Sequence, residues 1–145
     1  MKLHIVHGAN LGQLGQREPE LYGNQTLEDQ VSILEGWLSQ NWPGVSLHTF
    51  QSDIEGELVQ YLHAHDGDDV AFLINAGGYT HTSVVLADAV AAVKAPCLEV
   101  HLTHTYARES FRHTSLMAPH VIGTISGLGW VGYRLGLEAL LAGRD

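Results

Sequence analysis

The segment GQREPELYGN, residues 15 to 24, places Arg17 and Tyr22 between glycines in a chain that has only seven lysines and arginines. A free tyrosine loses its proton at about pH 10 and is a poor base at neutral pH. A nearby guanidinium favours the phenolate, so Arg17 beside Tyr22 suits proton abstraction. A second candidate is EVHLTH, residues 99 to 104. Glu99 and His101 are two apart and share one face of a strand. A carboxylate there orients the imidazole and favours its protonated form, which suits a general acid. The third is INAGGYTHTSVVLADAV, residues 74 to 90, where an apolar strand turns on two glycines and opens a helix at Thr80 or His81. Helix N-termini present free amide donors to a carboxylate or hydroxyl, and Asn75, His81 and Ser83 would add side-chain donors there, whereas capping alone would account for Thr80 or Ser83 but not for the whole cluster. Asp88, two turns along, could reach a neighbouring subunit's site.

Other chemistries fit less well. Gly8, Gly12, Gly15 and Gly23 suit a lid that moves, and a connection from Gly8 to Gly23 is long for a compact domain. It has neither G-x-G-x-x-G nor a Gly-Lys-Ser/Thr ending, so a phosphate loop fails on spacing. The metal alternatives pair His101 with His104 or His63 with His65. The first pair points to opposite faces if the strand continues, and no cysteine cluster or H-E-x-x-H helix accompanies either. His4, His48, His63, His65, His113 and His120 read as surface or structural histidines. G-x-S-x-G is absent, and Cys97 lies within a strand, where it reads as a small core residue. Lys2 and Lys94 are the only lysines, one terminal and one at a helix end, so a lysine imine is poorly served. What remains is acid–base chemistry, with Tyr22 and His101 handling the protons.

The elements that must carry these residues alternate. KLHIVH (2–7) reads as a strand; TLEDQVSILEGWLSQN (26–41) sets Leu27, Val31, Leu34 and Leu38 on one helical face. Thr26 with Asp29 three residues on has the spacing of a capping pair. VSLHTF (45–50) alternates as a strand, and Ile54, Leu58, Tyr61 and Leu62 mark a second helix. DVAFLINAGG (69–78) is an apolar strand, 81–93 a helix, APCLEVHL (95–102) and VIGTIS (121–126) strands, and 128–142 a closing helix. This order, with nearly continuous apolar third and fourth strands, predicts a five-stranded parallel sheet with helices on both faces, doubly wound as in flavodoxin-like domains. In such sheets ligands collect beyond the strands' carboxyl ends. Those ends carry Gly8-Ala9-Asn10, Ser52-Asp53, Asn75-Ala76-Gly77-Gly78 and His101-Leu102-Thr103.

The totals are compatible with that fold. At 145 residues, without repeats or linkers, residues 1–145 form one expected domain. A formal charge of −9 argues against nucleic acid and anionic membranes as partners. No stretch approaches about 20 uninterrupted apolar residues, the N-terminus does not read as a signal peptide, and Cys97 is alone, so the cytoplasm is the expected location.

The chain resembles the type II 3-dehydroquinate dehydratases, and the resemblance spans nearly all of it. It rests on GANLGQLGQREPELYG (8–23), EGELVQYLH (55–63), INAGGYTHTSVVLADA (74–89), EVHL (99–102), ARESFR (107–112) and GLGWVGYRLGLEAL (127–140), in that order. The resemblance implies a flavodoxin-like fold, no cofactor or metal, and trimers assembled into a homododecamer. It also implies trans elimination of water from 3-dehydroquinate to give 3-dehydroshikimate in the shikimate pathway. At matching positions Tyr22 would be the base. Arg17 would hold the lid closed and stabilise the phenolate and enolate, and Asn10 would position a water at the enolate. His101 would protonate the departing hydroxyl, oriented by Glu99. Asn75, His81, the Leu102 and Thr103 backbone and Arg112 would bind substrate; Arg108 would lie near Tyr22, and Asp88 would come from an adjacent subunit. The family's usual Asn-Gly-Pro-Asn is His7-Gly8-Ala9-Asn10 here, and its Ser-Asn is Thr103-His104. Ile54, Ala87, Tyr106 and Leu116 also depart from common family choices. A non-catalytic ligand-binding homologue and a flavodoxin-like nucleotide or flavin module are the competing readings.

Overall fold

The computed structural model describes residues 1–16 and 18–143, with the side chains of Leu21 and Tyr22 outside that description. Among the described residues five strands form one parallel sheet: β1 (Lys2–His7), β2 (Ser46–Gln51), β3 (Val70–Asn75), β4 (Cys97–His101) and β5 (Thr124–Ser126). Their order across the sheet is β2-β1-β3-β4-β5. Every pairing is parallel, with Ile5 opposite both Thr49 and Leu73, and Ile74 opposite Glu99. The order reverses direction between β1 and β3, which is the switch point where such sheets open a crevice.

The longer helices are α2 (Leu27–Asn41), α3 (Glu55–His65), α5 (Val84–Ala92) and α6 (Gly129–Ala142); α1 (Pro19–Tyr22) and α4 (Tyr79–Thr82) are single turns. Thr26 starts α2 as the spacing predicts. Its Oγ1 accepts from the Asp29 N–H at 3.1 Å, and its own N–H donates to Asp29 Oδ2 at 2.9 Å. Two cores sandwich the sheet. Leu3, Ile5, Leu73 and Val100 meet Leu34, Leu38, Tyr133 and Leu137 on one face. Val6, Phe72, Ile74 and Cys97 meet Leu58, Leu62, Leu86 and Val90 on the other. Fully burying one such side chain stabilises the fold by about 1.5–3 kcal/mol, so β3, buried at all six positions, anchors the crevice.

Several expected boundaries change. The connection from Gly8 to Gly23 is not structureless: a 3-10 turn covers Leu11–Gln13 and α1 covers Pro19–Tyr22. The helix expected over 81–93 is two, broken at Ser83, whose backbone is extended (φ −92°, ψ 98°). Ser83 Oγ accepts from the Leu86 N–H at 2.9 Å, so it caps α5 instead of continuing a helix. β3 stops at Asn75 because Gly77 (φ 61°) turns the chain. β4 stops at His101, so His104 lies beyond the strand and shares no alternation of faces with it. β5 shrinks to three residues because only Glu99 to His101 pair with it.

Candidate active site

The carboxyl ends of β1, β3 and β4 frame a cleft of about 750 Å³, counted with the solvent at its open side. Ala9, Asn10, Asn75, His81, Leu102 and Thr103 line it, with His101, Arg108 and Arg112. The β2 end contributes indirectly. Asp53 Oδ1 accepts the Asn10 N–H at 2.9 Å and the Gln51 side-chain amide at 3.1 Å. Asn10 itself takes the left-handed conformation (φ 69°), uncommon outside glycine and often found at functional sites. The β1 and β3 ends approach too closely for side chains where they cross. A Cβ on Gly8 would sit 2.1 Å from the Ala76 carbonyl oxygen, and one on Gly77 2.8 Å from that of Ala9.

At the cleft's inner wall, His101 Nε2 donates to Glu99 Oε1 at 2.6 Å, the short contact of a charge-assisted bond. Glu99 is 1% exposed and His101 9%, so the pair is shielded from water. This is the same-face pair that their spacing predicts. His81 stacks near it, ring centroids 6.3 Å apart, and its Nδ1–H donates to the Thr114 carbonyl at 2.7 Å. Asn75 is also tied on both sides. It donates through Nδ2 to the Tyr133 hydroxyl at 2.8 Å and accepts the Gly77 N–H on Oδ1 at 3.1 Å. Burial pushes the Tyr133 phenol well above its ordinary range, so it stays neutral. His7 stacks on the Tyr133 ring, centroids 5.6 Å apart, and burial pushes its pKa down to about 4 against a weaker opposing pull from the Phe50 backbone.

The other wall is cationic. Arg108 Nη1 donates to Thr103 Oγ1 at 3.2 Å, and Arg112 Nε donates to Glu109 Oε2 at 2.8 Å. Glu109 Oε2 also lies 3.8 Å from Arg108 Nε, so two guanidiniums share one carboxylate and leave a net positive charge at the cleft that suits an anion such as a carboxylate. Among the described residues no three His, Cys, Asp or Glu side chains gather as metal ligands would.

Asn10, Asn75, His81, Glu99, His101, Leu102, Thr103, Arg108 and Arg112 are therefore brought to one place, with Glu99 just behind the lining. Ser83 is not among the lining residues; it is 2% exposed and spent on its helix cap. Asp88 is exposed on α5 and lines no part of this chain's cleft. Arg17 lies outside the described residues, and for Tyr22 only the backbone, at the end of α1, is described. Sequence reasoning missed Asp53 as the support of Asn10 and Tyr133 as the support of Asn75. Their partners lie 43 and 58 residues away, and no local spacing announces them.

The fold and cleft define a doubly wound α/β protein whose switch-point crevice holds a carboxylate-braced histidine. Within that class, the chain belongs to the class II dehydroquinase family, which it matches over residues 1–141. It is 48% identical over 144 residues to the 3-dehydroquinate dehydratase of Roseiflexus castenholzii, covering 99% of this chain and 90% of that protein. The 3-dehydroquinate dehydratase of Prochlorococcus marinus (strain MIT 9211) is also 48% identical, over 97% of this chain and 94% of its own. The crystal structure of type II dehydroquinase from Propionibacterium acnes superposes with a TM-score of 0.92 at 37% identity, covering 98% of this chain and 97% of that one.

Proposed function

We propose that the protein is a hydro-lyase, a type II 3-dehydroquinate dehydratase, which removes water from 3-dehydroquinate by trans elimination to give 3-dehydroshikimate. The observation that carries this reading is the buried His101–Glu99 pair on the wall of a cleft that also receives Arg108 and Arg112. Asn75, His81, the Leu102 and Thr103 backbone and Arg112 hold the substrate's hydroxyls and carboxylate. The Tyr22 phenolate, stabilised by Arg17, takes the proton next to the ketone, and the electron pair moves onto the carbonyl oxygen as an enolate. A water held by Asn10 stabilises that charge. The enolate then collapses, the C–O bond to the hydroxyl breaks, and His101 delivers its proton so that water leaves. Glu99 keeps the imidazole aimed, and Arg108 lies beside Tyr22. A positioned acid or base of this kind contributes about 10²–10⁴-fold. No metal, nucleotide or lysine takes part.

The assembly is a homo-oligomer of trimers building a dodecamer, with Asp88 completing a neighbour's site. Val84 and Val85, 61% and 54% exposed on the same helix as Asp88, support a subunit contact there. The protein serves the shikimate pathway in the cytoplasm, and no described helix is long and apolar enough to cross a membrane. Incubation of purified protein with 3-dehydroquinate, followed by the appearance of enone absorbance, tests the reading. Full activity after chelation and after borohydride treatment in the presence of substrate is expected. Substrate binding without enone formation would instead establish a non-catalytic homologue.

A further inference from the structure

Ser115 stands behind the histidine, outside every role assigned above. Its Oγ lies 2.7 Å from Glu99 Oε2, while Glu99 Oε1 takes the hydrogen bond from His101 at 2.6 Å. Both oxygens of a carboxylate that is 1% exposed thus have protein partners in place of water. The direction of the serine bond is chemically fixed. Ser115 Oγ already accepts the Ala118 N–H at 3.0 Å, and a carboxylate only accepts, so the hydroxyl proton must go to Glu99.

The serine cannot easily move away. Its neighbour Leu116 donates its N–H to the Thr80 carbonyl at 2.9 Å, and Met117 beyond is fully buried in the core. On the other side, the Thr114 carbonyl takes the His81 Nδ1–H. One short segment therefore braces both histidines. Ser115 does not line the substrate cleft. It lines a smaller adjoining cleft with Thr80, Glu99 and Ser126, the two clefts sharing His81, His101, Thr105 and Arg112.

We propose that Ser115 is a positioning residue for the elimination. Its hydroxyl fixes the rotation of the Glu99 carboxylate, and the carboxylate in turn holds His101 Nε2–H, which leaves Nδ1 as the ring nitrogen that carries a proton to the leaving group. The proposal rests on the functional reading above for its kinetic consequence, and on the Ser115–Glu99–His101 chain for its physical basis. Without the serine, a buried carboxylate loses one of two donors and becomes free to turn away from the imidazole. A hydrogen bond to a charged group of this kind corresponds to about ten-fold or more in an equilibrium or rate.

Three variants test it: Ser115→Ala, Ser115→Cys, which keeps the volume with a poor donor, and Ser115→Thr, which keeps the hydroxyl. The alanine and cysteine variants should lose about ten-fold in kcat with KM nearly unchanged, because Ser115 touches no substrate. The threonine variant should retain most of kcat. A second readout needs no substrate: the rate at which diethyl pyrocarbonate modifies His101, followed by peptide mass spectrometry. A released imidazole should react several-fold faster in the alanine and cysteine variants and at the parent rate in the threonine variant. If the parent itself never dehydrates 3-dehydroquinate, the functional reading falls and this modification rate alone decides the role of Ser115. Should Ser115→Ala fail to fold, the cysteine variant replaces it. Parent-like kcat or parent-like modification in a folded Ser115→Ala or Ser115→Cys protein would overturn the proposal, as would a loss expressed in KM alone.

Discussion

Gly8→Ala tests how tightly the site depends on two strand ends that nearly touch. The added methyl would sit 2.1 Å from the Ala76 carbonyl oxygen and 2.5 Å from its carbon. Carbon–oxygen contacts are ordinarily about 3.3 Å or longer, so the ends of β1 and β3 must part by roughly 1 Å. Neither obstacle is a side chain that can swing aside. The same movement stretches the Gly8 N–H bond to the Asn75 carbonyl, 2.7 Å in the structure, beyond hydrogen-bonding range. Overpacking costs about 1–3 kcal/mol and the broken buried bond about 1–2 kcal/mol more, so a loss of roughly 2–5 kcal/mol is expected. Ala9 and Asn10 lie on one side of the opened seam, Asn75 and Gly77 on the other. A displacement of about 1 Å between positioning groups lowers turnover by about 10²-fold. The control is Gly36→Ala, an exposed position inside α2 where a methyl meets nothing; there a gain of about 0.5–1 kcal/mol is expected. Urea midpoints at fixed protein concentration and kcat/KM measure both effects. A Gly8→Ala protein with the parent's midpoint and turnover would refute the claim that these strand ends cannot separate.

Acid should destabilise the fold through His7. Its folded pKa is pushed down to about 4 from 6.5, so the unfolded chain binds the proton first and stability falls as pH drops from about 6.5 to about 4. The full span amounts to roughly 3 kcal/mol, and His7→Phe, which keeps a ring against Tyr133, should flatten that part of a pH series of urea midpoints. An unaltered series would show that His7 is not the group responsible. Tyr22→Phe should leave circular dichroism unchanged and cut kcat by at least about 10²–10⁴-fold; a turnover within a few-fold of the parent's means another residue takes the proton. Cys97 is buried in β4, and burial pushes its thiol up to about 12, so iodoacetamide should not label the native protein at neutral pH. Rapid labelling seen by mass spectrometry would contradict its place in the core.

The sequence by itself determined the parts whose physics is local. Apolar runs such as VAFLIN set a strand buried on both faces, and the alternation of strands and helices set the doubly wound sheet. The Glu99–His101 pair was legible for the same reason, since a two-residue offset on a strand puts side chains on one face whatever lies around them. The Thr26–Asp29 cap was equally local. Spacing alone, however, could not tell that Ser83 would be spent on a helix cap, because a serine that caps and a serine that binds have the same composition and neighbours. Nor could it find the partners that hold the site still. Asp53 meets Asn10, Tyr133 meets Asn75, and Ser115 meets Glu99 across 43, 58 and 16 residues. Those contacts exist only once β2 lies beside β1, α6 packs on the sheet, and Met117 drops into the core beneath Ser115. A hydrogen bond tolerates a few tenths of an ångström, whereas hydrophobic patterning fixes which face is buried without fixing how far one layer slides over another. Tertiary packing alone supplies that registration, and with it the aim of the side chains that line the cleft.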